Sequence, residues 1–335
     1  GSADDQVPFI ESPNLKHCSS SLIGRGLVLT TASCFYDYGE FSQSTIDTDI
    51  HVGDGEVIPY SVFVPAATDI TRGTTEAGPM GFFVTDIVYI NRKYLNGTCT
   101  NDAEYTSCNL AIMILEEDFD FEDISTIEGP NPGGLPGDYT KPFRYASGYG
   151  FSFSNTLNAG NKKIGQITTI GYSDSIGKTK PLNMSSGGEE VGINMIRNDS
   201  IAKYYKPVSN EPHLLYGSNA SSSLTSPGGQ GSSIIVNFGT KYKRQDGLKA
   251  NKPNPNILVG MQTICDTEDT CIGLRFAPSS DFPLNKYTDD DGENWGAGHI
   301  GYAMRQICGE GEGYNGDTYS DSCTSNPPII VRDAY

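Results

Sequence analysis

Short apolar runs separated by long polar stretches set the pattern of this chain. The clearest are LVLTTA at 27–32, FFVTDIVYI at 82–90, LAIMIL at 110–115, IIVNF at 234–238 and ILVGMQ at 257–262. Each is shorter than an ordinary helix, rich in β-branched and aromatic residues, and bounded by Gly, Pro, Asn or Asp, which predicts strands. EEDFDFEDI at 116–124 alternates acidic and apolar side chains, as a half-exposed strand does. Its paired carboxylates could be read as a glycosidase pair or a metal site, but a solvated edge that discourages strand-to-strand aggregation is the simpler reading. No sustained helical periodicity appears, so the expected fold class is all-β.

Composition sharpens this picture in three respects. The 335 residues suffice for two domains or one large two-lobed unit, and 39 Gly, 19 Pro and 19 Tyr mark a loop-rich β protein. PNPGGLPGDYTKP at 130–142 reads as the connection between two halves. The formal net charge of −18 argues against nucleic acid as a partner, because phosphate binding needs a basic stripe. No run of eighteen apolar residues is present to span a membrane as a helix.

Candidate chemistry is sparse. Eight cysteines with no CxxC pair fit a disulfide framework made in an oxidising compartment better than a zinc site. Sequence proximity suggests Cys99–Cys108, Cys265–Cys271 and Cys308–Cys323 among the many possible pairings. Sequons at Asn96, Asn183, Asn198 and Asn219 add to the expectation of a secreted glycoprotein. The four histidines, His17, His51, His213 and His299, have no metal-ligand spacing. The acidic run in YTDDDGENWG at 287–296 lacks the ligand alternation and terminal glutamate of an EF-hand loop.

The stretch CSSSLIGRGLVLTTASC, Cys18 to Cys34, resembles the segment C-G-G-S-L-I…W-V-L-T-A-A-H-C of chymotrypsin/trypsin-like serine proteases. The resemblance implies a Cys18–Cys34 disulfide and puts Ser33 where the family has its histidine. CNLAIMIL, Cys108 to Leu115, is similar to the family's N-D-I-A-L-L-K-L strand and puts Asn109 at the aspartate. SPGGQGSSIIV, Ser226 to Val236, resembles C-x-G-D-S-G-G-P-L-V. There Gly228 and Gly231 would hold the turn, Gln230 stands at the nucleophile, and Gly229 replaces the aspartate that accepts a newly cut N-terminus. Gly228 and Gly229 thus form a degenerate oxyanion and activation position. In ILVGMQTICDTEDTC, Thr263, Ile264 and Cys265 stand at the substrate groove, where a Cys265–Cys271 loop would alter or plug the pocket.

Several further expectations follow from the resemblance. The fold would be a chymotrypsin-like double six-stranded β-barrel with long disulfide-tied loops, a C-terminal helix at HIGYAMRQIC and an extra tail. Residues 1–135 would form the first barrel, 136–307 the second barrel with the helix, and 308–335 a disulfide-tied tail. VPFIES at 7–12 would begin barrel one and DIHVGDGEVIPYSVFVP at 49–65 would pair with FFVTDIVYI. FRYASGYGF at 143–151 would open barrel two, KKIGQITTIGYSDSI at 162–176 would be the next strand pair, and 186–219 would carry a helix and loops. The stretch at 71–80 reads as an inserted loop. Family enzymes often hold calcium in this neighbourhood, for which Asp54, Glu56 and Glu76 supply oxygens, though solvated carboxylates are the plainer account.

With all three working positions replaced, the resemblance implies no peptidase activity and no cofactor. A carboxamide is not a nucleophile at neutral pH, and an amide at 109 supplies no negative charge to an imidazolium. The expected function is that of a secreted pseudoprotease: protein binding through the degenerate cleft and surface loops, as decoy, inhibitor, protease cofactor or adhesion module, with an extracellular protein as partner. Two alternatives stand beside it, a self-associating extracellular or coat protein and a hydrolase with a non-standard acidic site.

Overall fold

The computed structural model describes residues 18–24, 26–35, 62–63, 83–98, 108–115, 144–145, 164–172, 196–205, 213–217, 229–236, 238, 257–265, 270–276 and 298–308. These make two antiparallel sheets and two helices, an all-β framework. In the first sheet, β1 (Ser21–Leu22), β2 (Leu27–Thr30), β5 (Ala111–Leu115), β4 (Phe83–Ile90) and β3 (Val62–Phe63) lie side by side in that order. A 3-10 turn, Ala32–Cys34, follows β2, and a one-turn helix α1, Arg92–Leu95, follows β4.

The apolar runs are continuous, not alternating, because both faces of the central strands are buried. On β5, Ile112 and Ile114 enter one core cluster, while Ala111, Met113 and Leu115 enter another. β2 divides in the same way, Leu27 and Leu29 to one side and Val28 to the other. The period of two is therefore present in which core a side chain joins and absent from its polarity.

The second sheet comprises β7 (Ile164–Gly171), β8 (Ile196–Tyr205), β9 (His213–Gly217), β12 (Thr270–Arg275), β11 (Ile257–Cys265) and β10 (Ser233–Val236). β10 pairs with both β11 and β7, so these six strands close into a ring in the order 1-2-3-6-5-4 along the chain, a Greek-key arrangement. Closure removes the open edges that would otherwise invite pairing with other chains. β6, Arg144–Tyr145, lies outside the ring and runs parallel to β11 at Ile257 and Leu258.

Two expectations need correction here. The stretch at 143–151 contributes β6 and not the opening strand of the ring, which is β7. Residues 162–176 do not form a strand pair: Ile164–Gly171 is one strand, and its partners are β8 and β10. The segment 186–219 contributes β8 and β9, and its other residues, 186–195, 206–212 and 218–219, lie outside the described residues.

Helix α2, Gly298–Cys308, stands at the expected C-terminal helix. Ile300, Ala303, Met304 and Ile307 recur at the spacing of one helical face. That face completes the larger core with Leu29, Ile112, Ile235, Leu258 and Leu274, so helix and both sheets share one interior. No helix among the described residues is long and apolar enough to cross a membrane. The expectations at 7–12, 71–80, 116–124, 130–142, 287–296 and 309–335, and at Asp54, Glu56, Glu76 and His17, lie outside the described residues.

On the outer face of the ring, Asp199 accepts hydrogen bonds from Thr168 at 2.6 Å and from Arg197 at 2.7 Å, and the Arg197 guanidinium lies 4.7 Å from the Phe238 ring centre. Burial opposes ionisation of Asp199, but the two hydrogen bonds and the guanidinium charge outweigh it and hold the carboxyl below its ordinary value of 3.8. A depressed pKa stabilises the fold above the ordinary value, and the contribution fades as pH falls through the lower folded value. Asp199→Asn is expected to remove this acid-side dependence from a pH series of urea melts. At neutral pH it should cost less than about 1 kcal/mol, since the pair is solvent-screened. Leu258→Ala, in the shared core, is expected to cost about 2–5 kcal/mol by the same measurement. A loss below about 1 kcal/mol would mean that the interior between the sheets is loosely packed.

Candidate functional site

The first sheet meets the ring along a seam of small polar residues. Before β1, Ser19 donates its N–H to the Gln230 carbonyl at 2.8 Å, and its own carbonyl accepts from the Thr30 hydroxyl at 2.9 Å. The Ser19 hydroxyl accepts from the Tyr172 N–H at 2.7 Å. The hydroxyls of Ser21 and Ser233 hydrogen-bond to each other across the seam. Ser19, Ser21, Thr30 and Ser233 are buried and each of these groups has a partner, as buried polar groups require.

The turn that precedes β10 carries Gln230 into this junction. Gly231 has φ +82°, and a Cβ there would lie 2.0 Å from the Ser19 carbonyl oxygen, so both the backbone angle and the close approach call for glycine. From the first sheet come Ser33, in the 3-10 turn, and Asn109, just before β5.

These three side chains meet. The Ser33 N–H donates to Asn109 Oδ1 at 3.0 Å, Asn109 Nδ2 lies 3.4 Å from Ser33 Oγ, and Ser33 Oγ lies 3.3 Å from Gln230 Oε1. The backbone donor fixes the amide orientation: Oδ1 must face the Ser33 N–H, which turns Nδ2 towards the hydroxyl. Ser33 has one hydroxyl proton, so it donates either to Gln230 or to Thr31 Oγ1, 3.2 Å away. Asn109 is only 2% exposed. The cluster is a run of neutral, directional hydrogen bonds between amide, hydroxyl and amide. None of the three side chains titrates in the physiological range, so the trio itself contains no general base.

No protein-family model matches the chain, and neither does any curated protein. The chemistry of the site therefore rests on its own geometry.

The other expected positions are distributed as follows. Gly229 is buried, and its carbonyl accepts from the Ser232 N–H at 3.2 Å, the Ser232 hydroxyl at 2.7 Å and Gln262 Nε2 at 3.0 Å. Gly228 lies outside the described residues. Thr263 is buried at a bulge of β11 and donates to the Ile272 carbonyl at 3.0 Å, which directs its hydroxyl to β12 and away from the trio. Ile264 is half-buried and pairs with Ile272, while Cys265 is opposite Cys271. His299 is buried on α2 with its ring 6.3 Å from that of Tyr89, and His213 lies on β9. Among the described residues no three His, Cys, Asp or Glu side chains gather as a metal site would need.

The Cys18–Cys34 disulfide is formed, with Cα atoms 6.2 Å apart. Cys108, Cys271 and Cys308 are also disulfide-bonded, whereas Cys99 and Cys323 lie outside the described residues. Of the sequons, Asn96 is a half-buried residue ending α1, and Asn183 and Asn219 lie outside the described residues. Asn198 is 6% exposed within β8, on the inward face of the strand.

Sequence reasoning missed Gln262, a 1% exposed amide at the heart of the turn. The available signal was one carboxamide in the largely apolar run ILVGMQTIC, since a fully buried polar side chain must have a partner. Gly231→Ala is expected to cost about 2–5 kcal/mol, from the left-handed angle and the clash together. It should also speed amide exchange at Ser19, whose N–H is bonded to Gln230. Unchanged stability and exchange would show that the turn does not press on the first sheet.

Proposed function

We propose that this chain is a secreted, catalytically inactive homologue of chymotrypsin/trypsin-like serine proteases that works by binding another extracellular protein along the seam and the loops around it. The observation that carries this reading is the meeting of Ser33, Asn109 and Gln230. Residues from distant parts of the chain, each picked out by a separate motif, come within hydrogen-bonding distance at the junction of the sheets. Independent support comes from the closed ring of six strands, the number expected of one barrel of such a fold, and from the formed Cys18–Cys34 disulfide.

The chemistry at those positions points to binding over turnover. Losing nucleophile and base costs roughly a million-fold in comparable sites, which leaves recognition as what such a cleft still offers. Neutral amides and hydroxyls suit it, because they donate to and accept from a polypeptide backbone without burying a charge. Loops on a rigid β framework supply the specificity.

The test has two arms. With a serine-reactive fluorophosphonate and a mixed peptide library, the purified chain is expected to show neither labelling nor cleavage; serine-dependent turnover would overturn the inactive reading. Immobilised chain should then capture a protein from the extracellular medium of its source, with capture lost in Ser33→Trp and Gln230→Arg. Capture that survives both changes would move the binding surface away from the seam.

A further inference from the structure

We propose that Gln262 is the positioning residue of the seam, holding the Gln230 turn in its docked form from the moment the chain folds, so that the site forms without a proteolytic cut. The binding role of that site rests on the reading above; the positioning does not.

Three of the turn's bonds converge on one residue. Gln262 Nε2 donates to the Gly229 carbonyl at 3.0 Å, the Gln262 N–H donates to the Ser232 carbonyl at 2.9 Å, and the Gly231 N–H donates to the Gln262 carbonyl at 2.8 Å. One residue on β11 thus grips the turn before, at and after Gly231. On the opposite side the turn is held by the Ser19 N–H at the Gln230 carbonyl. Gln230 is clamped between Gln262 of the ring and Ser19 of the first sheet, which sets where its side chain meets Ser33.

The position where the resembled proteases keep an aspartate is occupied here by Gly229, which has no side chain to receive an ammonium group. Its carbonyl is instead held by an amide and a hydroxyl of the same ring. These partners are neutral and are carried on β11 and just before β10, so they arrive with the fold. A charge-dependent rearrangement has nothing to act on at Gly229.

The test reads amide hydrogen exchange, site by site, on the uncut chain in wild type, Gln262→Leu and Gln262→Glu across pH 4 to 8, each variant referenced to wild type at the same pH. The reference cancels the pH dependence of intrinsic exchange and of the rest of the chain. Wild type should protect Ser19 and Gly231 before any cleavage. Gln262→Leu should lose at least tenfold protection at both amides at every pH, with β8 and β9 unchanged. Gln262→Glu should match wild type at acid pH, where its carboxylic acid can donate to the Gly229 carbonyl, and lose protection as the carboxylate forms.

Three outcomes would overturn the proposal: seam amides protected only after limited proteolysis, protection in Gln262→Leu lost evenly across the ring, or a Gln262→Glu profile parallel to wild type at all pH. None depends on whether a partner binds or a peptide is cut, so the result stands apart from the inactive-protease reading.

Discussion

Ser19 joins the two sheets with its backbone and its side chain at once. Its N–H, its carbonyl and its hydroxyl each take a partner, from the Gln230 turn, from β2 and from Tyr172 after β7 respectively. Such groups can be buried only if all of them are satisfied together, which leaves few ways for the sheets to meet. Glycine enforces the same choice sterically. A Cβ at Gly171 would lie 1.9 Å from the Ser232 hydroxyl, and one at Gly231 would lie 2.0 Å from the Ser19 carbonyl. The relative placement of the sheets is therefore over-determined, and Ser33, Asn109 and Gln230 inherit their proximity from it.

Strands whose two faces are both apolar are legible in the sequence: β2, β4, β5, β10 and β11 lie where the runs predict them. β7, β8 and β9 are harder, and the reason is visible in β8. Ile196, Arg197, Asn198 and Asp199 alternate buried and exposed, as a strand should, but a buried asparagine sits on the inward face. Thr168 and Thr169 are likewise buried on β7. Polarity no longer reports the face, so only tertiary pairing decides the strand. Net charge does not help. Among the described residues only Asp86 and Asp199 are acidic, and the charge that makes the chain −18 is carried by other segments.

Within the site, legibility follows from local anchors. Ser33 stands beside a disulfide cysteine, Asn109 leads into an all-apolar strand, and Gln230 is flanked by glycines, so each can be placed from its neighbours alone. Gln262 has no such anchor. Its importance arises from a turn thirty residues earlier in the chain reaching it through space. Thr263, next to it, is expected at the groove, yet the bulge in β11 directs its hydroxyl to β12. A one-residue irregularity in strand register exchanges which of two neighbours reaches a site, and nothing in composition signals it.

On the proposed reading, the replacements at 33, 109 and 230 are one physical event more than three. A carboxylate at position 109 would be almost wholly buried and tolerable only beside a cation or several donors. A serine at 33 supplies no cation, and an ionised group at 109 would face the Ser33 N–H and a hydroxyl with no charge from that residue to balance it. An asparagine keeps the acceptor that the Ser33 N–H needs and turns its second atom into a donor for the hydroxyl, so the whole contact is retained without charge. The same logic reaches the far end of the trio, where Gln230 supplies an acceptor for the Ser33 proton. Loss of the cation makes the anion costly, and loss of both leaves a site whose remaining asset is hydrogen-bond geometry, the property that recognition requires.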